Sequence, residues 1–117
     1  MHEASIAADI LDMVRREMEK YSLGSLERIS IRCGQLSCIS AASLKFNLEA
    51  MTEGSPLAGA AIIINKIPVE LLCSSCQKNF SAPDRDHLFV PCPHCSSEGG
   101  RRVIKGQELS LDSIEGE

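Results

Sequence analysis

Two stretches of the chain repeat apolar residues every three or four positions, a spacing that predicts two amphipathic helices. The first helix is predicted from Ala4 to about Tyr21, before Gly24. The second is predicted over residues 41 to 53, with Ser40 as its N-cap and Gly54 after its end. Their apolar faces comprise Ile6, Ile10, Leu11, Val14, Met18 and Tyr21 in the first, and Leu44, Leu48 and Met51 in the second. Met13, Met18 and Met51 all fall at apolar helical positions, so we expect them to pack in the core.

Three other segments favour β-strands. The segment LERISIRC, residues 26 to 33, alternates apolar and polar side chains and predicts a half-buried strand. The segment AAIIINKIPVEL, residues 60 to 71, is apolar and β-branched and predicts a second strand, although it holds a proline near its end. The tail GQELSLDSIEGE, residues 106 to 117, alternates again and predicts a third strand that returns to the first domain.

Residues 69 to 106 differ in composition from the segments on either side. They hold two prolines placed before cysteines, a glycine pair and little hydrophobic periodicity. A segment this short cannot bury enough apolar surface to fold alone and needs an additional cross-link to stabilise it. We therefore predict two domains, one of residues 1–68 and 107–117, and an inserted module of residues 69–106.

Two cysteine pairs inside this module could supply this cross-link. Cys73 and Cys76 are separated by two residues, as are Cys92 and Cys95, and fifteen residues lie between the pairs. Two such knuckles point four thiolates at one ion, the pattern of a structural Zn²⁺ site with no open position for a catalytic water. The predicted fold class is accordingly α+β: a small mixed three-stranded sheet with two helices, plus an inserted zinc-ribbon-like module.

The remaining histidines and cysteines admit two interpretations. His94 lies inside the second pair, where a solvated or supporting role is favoured over replacement of a cysteine ligand. His87 lies in the loop between the pairs and is either polar surface or a contact to another metal. Cys33 and Cys38 are better explained as small buried residues than as ligands.

Overall composition narrows the function classes. The chain has 117 residues, of which 44% are hydrophobic and 24% charged, so it should fold as an ordinary globular protein. Aromatic residues make up 3% and the net charge is -4, which argues against nucleic-acid binding. No signal peptide or membrane-spanning stretch is present, so we expect a cytoplasmic protein with reduced thiols. We find no phosphate-binding loop, HExxH or nucleophile motif, and expect no enzyme.

The chain opens with MHEAS, which places a histidine beside the amino terminus. This position is either incidental, since a terminus tolerates most residues, or chelating. A terminal amine, the His2 amide nitrogen and the His2 imidazole can form two fused rings around one metal ion. Such nitrogen-rich, in-plane sets suit Ni(II) or Cu(II).

Taken together, these motifs resemble the HypA family of hydrogenase nickel-incorporation proteins, with its relative HybF. The resemblance rests on MHEASIAADIL at the start, SIRCGQLSCISAASLKFNLEAMTEGSPLAGA in the middle, and the CSSC and CPHC knuckles. It implies a metallochaperone for [NiFe]-hydrogenase maturation that can also support urease. Ni(II) is then bound by the Met1 amine, by His2, and by the amide or carboxylate of Glu3, with His87 as a further ligand, while the four cysteines hold zinc. The partners it implies are the nickel-binding GTPase HypB and the hydrogenase large subunit.

Two other functions are compatible with the cysteine pattern alone. One is a zinc-ribbon adaptor that binds protein or nucleic acid, although residues 69 to 106 hold five basic and four acidic residues, a small excess for phosphate binding. The other is a zinc hydrolase, which requires an open metal position.

Overall fold

The computed structural model describes residues 3–37, 39–82 and 90–117. Its elements in chain order are α1 (Glu3–Lys20), β1 (Leu26–Gly34), α2 (Ala41–Thr52), β2 (Ala61–Ile67), β3 (Glu70–Cys73), β4 (Asn79–Ser81), β5 (Arg101–Lys105) and β6 (Leu109–Gly116). The strands form two three-stranded sheets, in the orders β2-β1-β6 and β4-β3-β5. The predicted α+β class is confirmed.

The chain divides into two compact units. The first consists of Met1–Arg32, Ile39–Asn65 and Leu109–Glu117, and the second of Cys33–Cys38 and Lys66–Glu108. Each unit has its own cluster of buried apolar side chains. Within the described residues, no helix combines the length and apolar character needed to cross a membrane.

Helices α1 and α2 supply most of the core of the first unit. Five positions of α1 are buried at helical spacing: Ala7, Ile10, Leu11, Val14 and Met18. Ser40 caps α2 as predicted, because its hydroxyl accepts a 3.2 Å hydrogen bond from the Ser43 backbone N–H. The prediction that Met13 and Met51 are core residues is wrong, since they are 39% and 40% exposed.

β1 is the central strand of the first sheet, and its two ends show how β6 pairs with it. Ser25 and Glu117 exchange backbone hydrogen bonds of 2.9 and 3.1 Å, while the Gly34 N–H donates to the Glu108 carbonyl at 2.6 Å. The start of one strand therefore meets the end of the other, and the pair is antiparallel. The tail is therefore a strand beside β1.

The prediction of one continuous strand over residues 60 to 71 is wrong. β2 ends at Ile67 and β3 begins at Glu70, and the two strands belong to different sheets. Pro68 separates them because it has no N–H to donate to a strand ladder. The N–H of the next residue, Val69, is instead satisfied by the Gln35 side-chain oxygen at 3.2 Å.

β3 is the central strand of the second sheet and pairs antiparallel with both neighbours. Leu71 lies opposite Phe80 of β4 and opposite Val103 of β5. The cluster around this sheet is small, comprising Val69, Leu71, Cys73, Phe80, Ala82 and Cys92. Two of its six members are cysteines, so the core of this unit includes two of the candidate ligands.

Candidate metal centre

The second unit brings together the four cysteines whose spacing predicted a metal site. The sulfur atoms of Cys73, Cys76, Cys92 and Cys95 all lie within 4.8 Å of one another. Cys73 is the last residue of β3, whereas Cys92 and Cys95 belong to no described strand. Cys73 and Cys92 are buried and Cys95 is exposed, so the cluster lies at the edge of the small core.

The two cysteine pairs form equivalent turns, which we call the first knuckle (residues 73–78) and the second knuckle (residues 92–97). In the first, the Cys73 N–H donates to the Lys78 carbonyl at 3.0 Å, and the Gln77 N–H donates to the Cys73 carbonyl at 2.9 Å. In the second, the Cys92 N–H donates to the Ser97 carbonyl at 2.9 Å, and the Ser96 N–H to the Cys92 carbonyl at 2.8 Å. Each turn therefore carries its two sulfurs on the same backbone geometry.

The spacing of the sulfur atoms fits a tetrahedral metal ion. A Zn–S distance of about 2.3 Å at tetrahedral angles places neighbouring sulfurs about 3.8 Å apart. Cys73 and Cys95 are separated by 3.7 Å between sulfurs, and so are Cys76 and Cys92. The described cysteines are free thiols. The cluster could therefore hold a metal ion such as zinc, with Cys73, Cys76, Cys92 and Cys95 as its donors.

The protonation of the thiols also suits a cation. The Cys76 backbone N–H, with the Ser75 N–H and neighbouring sulfurs, outweighs burial and lowers the pKa of Cys73 to about 6. The Ser97 backbone N–H lowers the pKa of Cys95, but loss of hydration and three neighbouring thiols outweigh it and raise the pKa to about 11. Loss of hydration likewise raises the pKa of Cys76. The lowered pKa of Cys73 favours its thiolate, whereas a bound cation would have to displace the protons of Cys76 and Cys95.

His94 supports the second knuckle without joining the sulfur cluster. Its imidazole Nε2 lies 3.1 Å from the Asn79 carbonyl oxygen, and its backbone N–H donates to the Cys92 sulfur at 3.4 Å. These contacts place His94 beside the second knuckle, and its supporting role stays a prediction. Cys33 is buried, as expected of a small core residue. Met1, His2, Cys38 and His87 lie outside the described residues.

Several residues around the knuckles were not predicted from the sequence. The Ser75 and Ser97 hydroxyls lie 3.1 Å apart and link one knuckle to the other. The guanidinium of Arg101 donates to backbone carbonyls of the second knuckle and its flanks. A glycine pair followed by two arginines gives no sequence signal that distinguishes Arg101 from Arg102.

The fold and the cysteine cluster define a small α+β protein in which one unit presents a four-thiol metal centre. A family model described as "Hydrogenase/urease nickel incorporation, metallochaperone, hypA" matches residues 1–116. The chain belongs to this HypA family, a nickel metallochaperone family of hydrogenase maturation and not a family of catalytic enzymes.

Individual relatives extend over almost the whole chain. The hydrogenase maturation factor HypA of Solidesulfovibrio magneticus is 38% identical over 115 residues, and that of Lawsonia intracellularis is 36% identical over 116; each match covers 98% of both chains. A solution structure of a HypA protein superposes with a TM-score of 0.72 at 25% identity, covering 99% of this chain and 96% of that one. The solution structure of the Ni metallochaperone HypA from Helicobacter pylori has a TM-score of 0.66 at 26% identity, covering 99% and 97%.

Proposed function

We propose that this protein binds Ni(II) at its amino terminus and delivers it during [NiFe]-hydrogenase maturation. The observation that carries the proposal is the match of residues 1–116 to a family of nickel-incorporation metallochaperones. Nickel is cargo in this function: it is captured and passed to another protein, with no bond made or broken in a substrate.

The nickel ligands are Met1 through its amine, His2 through its amide and imidazole, and Glu3 through its amide or carboxylate. Helix α1 begins at Glu3. Backbone N–H groups in the first turn of a helix have no acceptor within the helix, so nickel can displace the amide proton of Glu3 without breaking a helical hydrogen bond. The acidic side chain of Glu3 also opposes the positive end of the helix dipole, which would otherwise repel a cation. His87 is proposed as a further ligand.

The four cysteines hold a structural Zn²⁺ in this proposal. The sulfur spacing, the equivalent knuckles and the small cluster of six buried side chains all support this role. Four thiolates complete a tetrahedral shell and leave no position for an activated water, so the zinc stabilises its unit and does not catalyse hydrolysis. Residues 69–106 then act as a zinc-binding module, and residues 1–68 with 107–117 as a nickel-binding domain.

The partners follow from the same role. We propose that nickel is exchanged with the GTPase HypB and delivered to the hydrogenase large subunit, in the cytoplasm. The family description also names urease, and we propose urease maturation as a second use of the same nickel site.

A nickel titration tests the ligand set. Untagged, zinc-loaded protein with a free Met1 amine is titrated with Ni(II), beside His2→Ala and a variant with one extra residue before Met1. The control is Arg102→Gln, because Arg102 is exposed and lies outside both the knuckles and the proposed nickel ligands. We expect one stoichiometric site that is lost in both terminal variants and retained in the control. Unchanged binding in the terminal variants would show that the terminus is not the nickel site.

The pH dependence of nickel binding gives a second test. The ligands bind when the amine and imidazole are deprotonated, and their ordinary pKa values are about 7.7–8 and about 6.5. Nickel affinity should therefore fall as the pH is lowered from 8 to 6. Flat affinity over this range would be incompatible with the proposed ligands.

A further inference from the structure

The two knuckles differ in how the fold supports them, despite their equivalent turns. The first begins at the end of β3 and leads to β4, so paired strands fix both of its ends. The second lies outside every described strand. Its ligands, Cys92 and Cys95, therefore need support from side chains to reach the geometry that a metal ion requires.

Arg101 is placed to give that support. It is the first residue of β5 and lies opposite Cys73 in the strand register. Its guanidinium donates from Nη1 to the Val90 carbonyl, from Nη2 to the Ser97 carbonyl at 3.3 Å, and from Nε to the Gly99 carbonyl at 3.3 Å. Val90 lies two residues before the second knuckle, Ser97 is its last residue, and Gly99 lies two residues after it. A single planar group therefore holds both ends of the knuckle.

A ring contact fixes the guanidinium itself, and a backbone bond links one of its acceptors to a ligand. The Arg101 guanidinium carbon lies 5.2 Å from the centre of the Phe80 ring, a cation–π distance, and Phe80 is buried on β4. The Ser97 carbonyl that Arg101 reaches also accepts the Cys92 N–H, the bond that closes the second knuckle. Arg101 thus acts on the same oxygen that sets the orientation of a ligand.

We infer that Arg101 is a positioning residue for the metal centre, which couples the strand position of Cys73 to the ligands Cys92 and Cys95. The inference rests on the proposed zinc site. Only arginine fits this role, because its forked donors reach three carbonyls at once whereas a lysine ammonium is a single point charge. Arg102, the next residue, is exposed and carries the same charge, which makes it a matched control.

The experiment compares zinc-loaded full-length protein with Arg101→Gln, Arg101→Lys and Arg102→Gln. Zinc affinity is measured by competition with a chromophoric chelator, and the rate of alkylation of each cysteine by mass spectrometry. We expect Arg101→Gln to weaken zinc binding about 10- to 100-fold, and to increase alkylation of Cys92 and Cys95 more than that of Cys73 and Cys76. Arg102→Gln should match the wild type in both measurements.

The lysine variant keeps the inference testable if Arg101→Gln folds poorly. Arg101→Lys retains the charge and an aliphatic stem over Phe80. It should show the same selective increase in the alkylation of Cys92 and Cys95, but a smaller one. Equal effects of Arg101→Gln and Arg102→Gln would reduce the role to net charge and overturn the inference. A uniform increase of alkylation at all four cysteines would show a merely structural role and also overturn it. A wild-type chain that binds no zinc would overturn the proposed site together with this inference, whereas normal wild-type binding with unchanged Arg101 variants would overturn the inference alone.

Discussion

Gln77 and Ser96 adopt the same left-handed backbone conformation at equivalent positions, with φ of 60° and 62°. Each residue lies four positions after the first cysteine of its knuckle, and each donates its N–H back to that cysteine's carbonyl. The positive φ turns the chain so that the carbonyl of the next residue, Lys78 or Ser97, can accept the N–H of the first cysteine. Neither residue is glycine, so both knuckles carry a conformational cost that zinc binding and the hydrogen bonds must offset.

Substitution of Ser96 should reveal this cost. A β-branched side chain is especially unfavourable at positive φ, so Ser96→Val should lower the free energy of unfolding of the zinc-loaded protein by about 1–2 kcal/mol. Ser96→Gly should leave it equal or higher, since glycine adopts this conformation freely. Ser96 is exposed, so lost packing does not confuse the comparison. Chemical denaturation in excess zinc measures the free energy of unfolding of both variants. Identical midpoints for Ser96→Val and Ser96→Gly would contradict the prediction.

Acid should release the metal from the cysteine cluster. At pH 7, Cys95 with a pKa of about 11 and Cys76 with a raised pKa hold protons that the metal must displace, whereas Cys73 with a pKa of about 6 is mostly thiolate. Zinc affinity should therefore fall as the pH decreases, and fall more steeply below pH 6, where Cys73 also becomes protonated. Chelator competition between pH 5 and pH 8 measures the slope. A constant slope through pH 6 would show that Cys73 has no lowered pKa.

Gly34 should not tolerate a side chain. A Cβ at this position would collide with the backbone carbonyl of Gly106, and backbone atoms cannot move aside as a flexible side chain can. Gly34→Ala should therefore destabilise the protein by about 1–3 kcal/mol or more, the range for overpacking. Gly99→Ala is the control, because its new Cβ would meet only the Ser97 hydroxyl at 3.4 Å. Thermal unfolding of the two zinc-loaded variants measures the difference, and equal melting temperatures would refute the predicted collision.

The two sides of α1 should differ in their sensitivity to truncation. Leu11 is 1% exposed, so Leu11→Ala should lower the free energy of unfolding by about 2–5 kcal/mol through lost burial and a new cavity. Met13 is 39% exposed, so Met13→Ala should lower the free energy of unfolding much less. Urea denaturation followed by helical circular dichroism compares them. Similar losses in both variants would mean that Met13 packs in the core after all.

The helices and the strands β1 and β6 could be predicted because their signals are local, whereas the pairing of these strands could not, since Ser25 and Glu117 are 92 positions apart. The apolar stripe of α1 and the hydroxyl of Ser40 each act within a few residues of the chain. Met13 and Met51 were misassigned because helical spacing identifies a side of the helix and not how far the neighbouring elements extend over it. Their exposure depends on tertiary packing, which a periodic pattern does not contain.

The strand break at Pro68 was missed because the apolar run continues on both sides of it. The run reflects burial in two different sheets, and composition alone does not separate two short buried strands from one longer strand. The second sheet was missed for a related reason: β4 has only three residues, too few for a recognisable alternation. Residues 35–37, which belong to the second unit, gave no sign in the sequence of their distant contacts.

The four cysteines were recognisable because thiolate spacing is dictated by the metal itself. The residues that position them were not, because Arg101 acts through backbone carbonyls, which every sequence possesses. Chelate chemistry and the resemblance to a family point to His2, and the resemblance alone points to Glu3. Nickel binding by these two residues stays a prediction.

The turn at Gln35 and Leu36 has a consequence for the order in which the protein folds. The Gln35 N–H donates to the Ile67 carbonyl at 2.9 Å and the Leu36 N–H to the Gly106 carbonyl at 2.6 Å, so one turn holds the chain both where it enters and where it leaves the second unit. Ser25 and Glu117, which pair in the first sheet, are 92 positions apart, and closing so long a loop is entropically slow. A second unit already assembled around its metal closes most of that loop in advance. With zinc at the proposed site, metal supply should govern how quickly β6 reaches β1, so refolding of the first sheet should report on zinc.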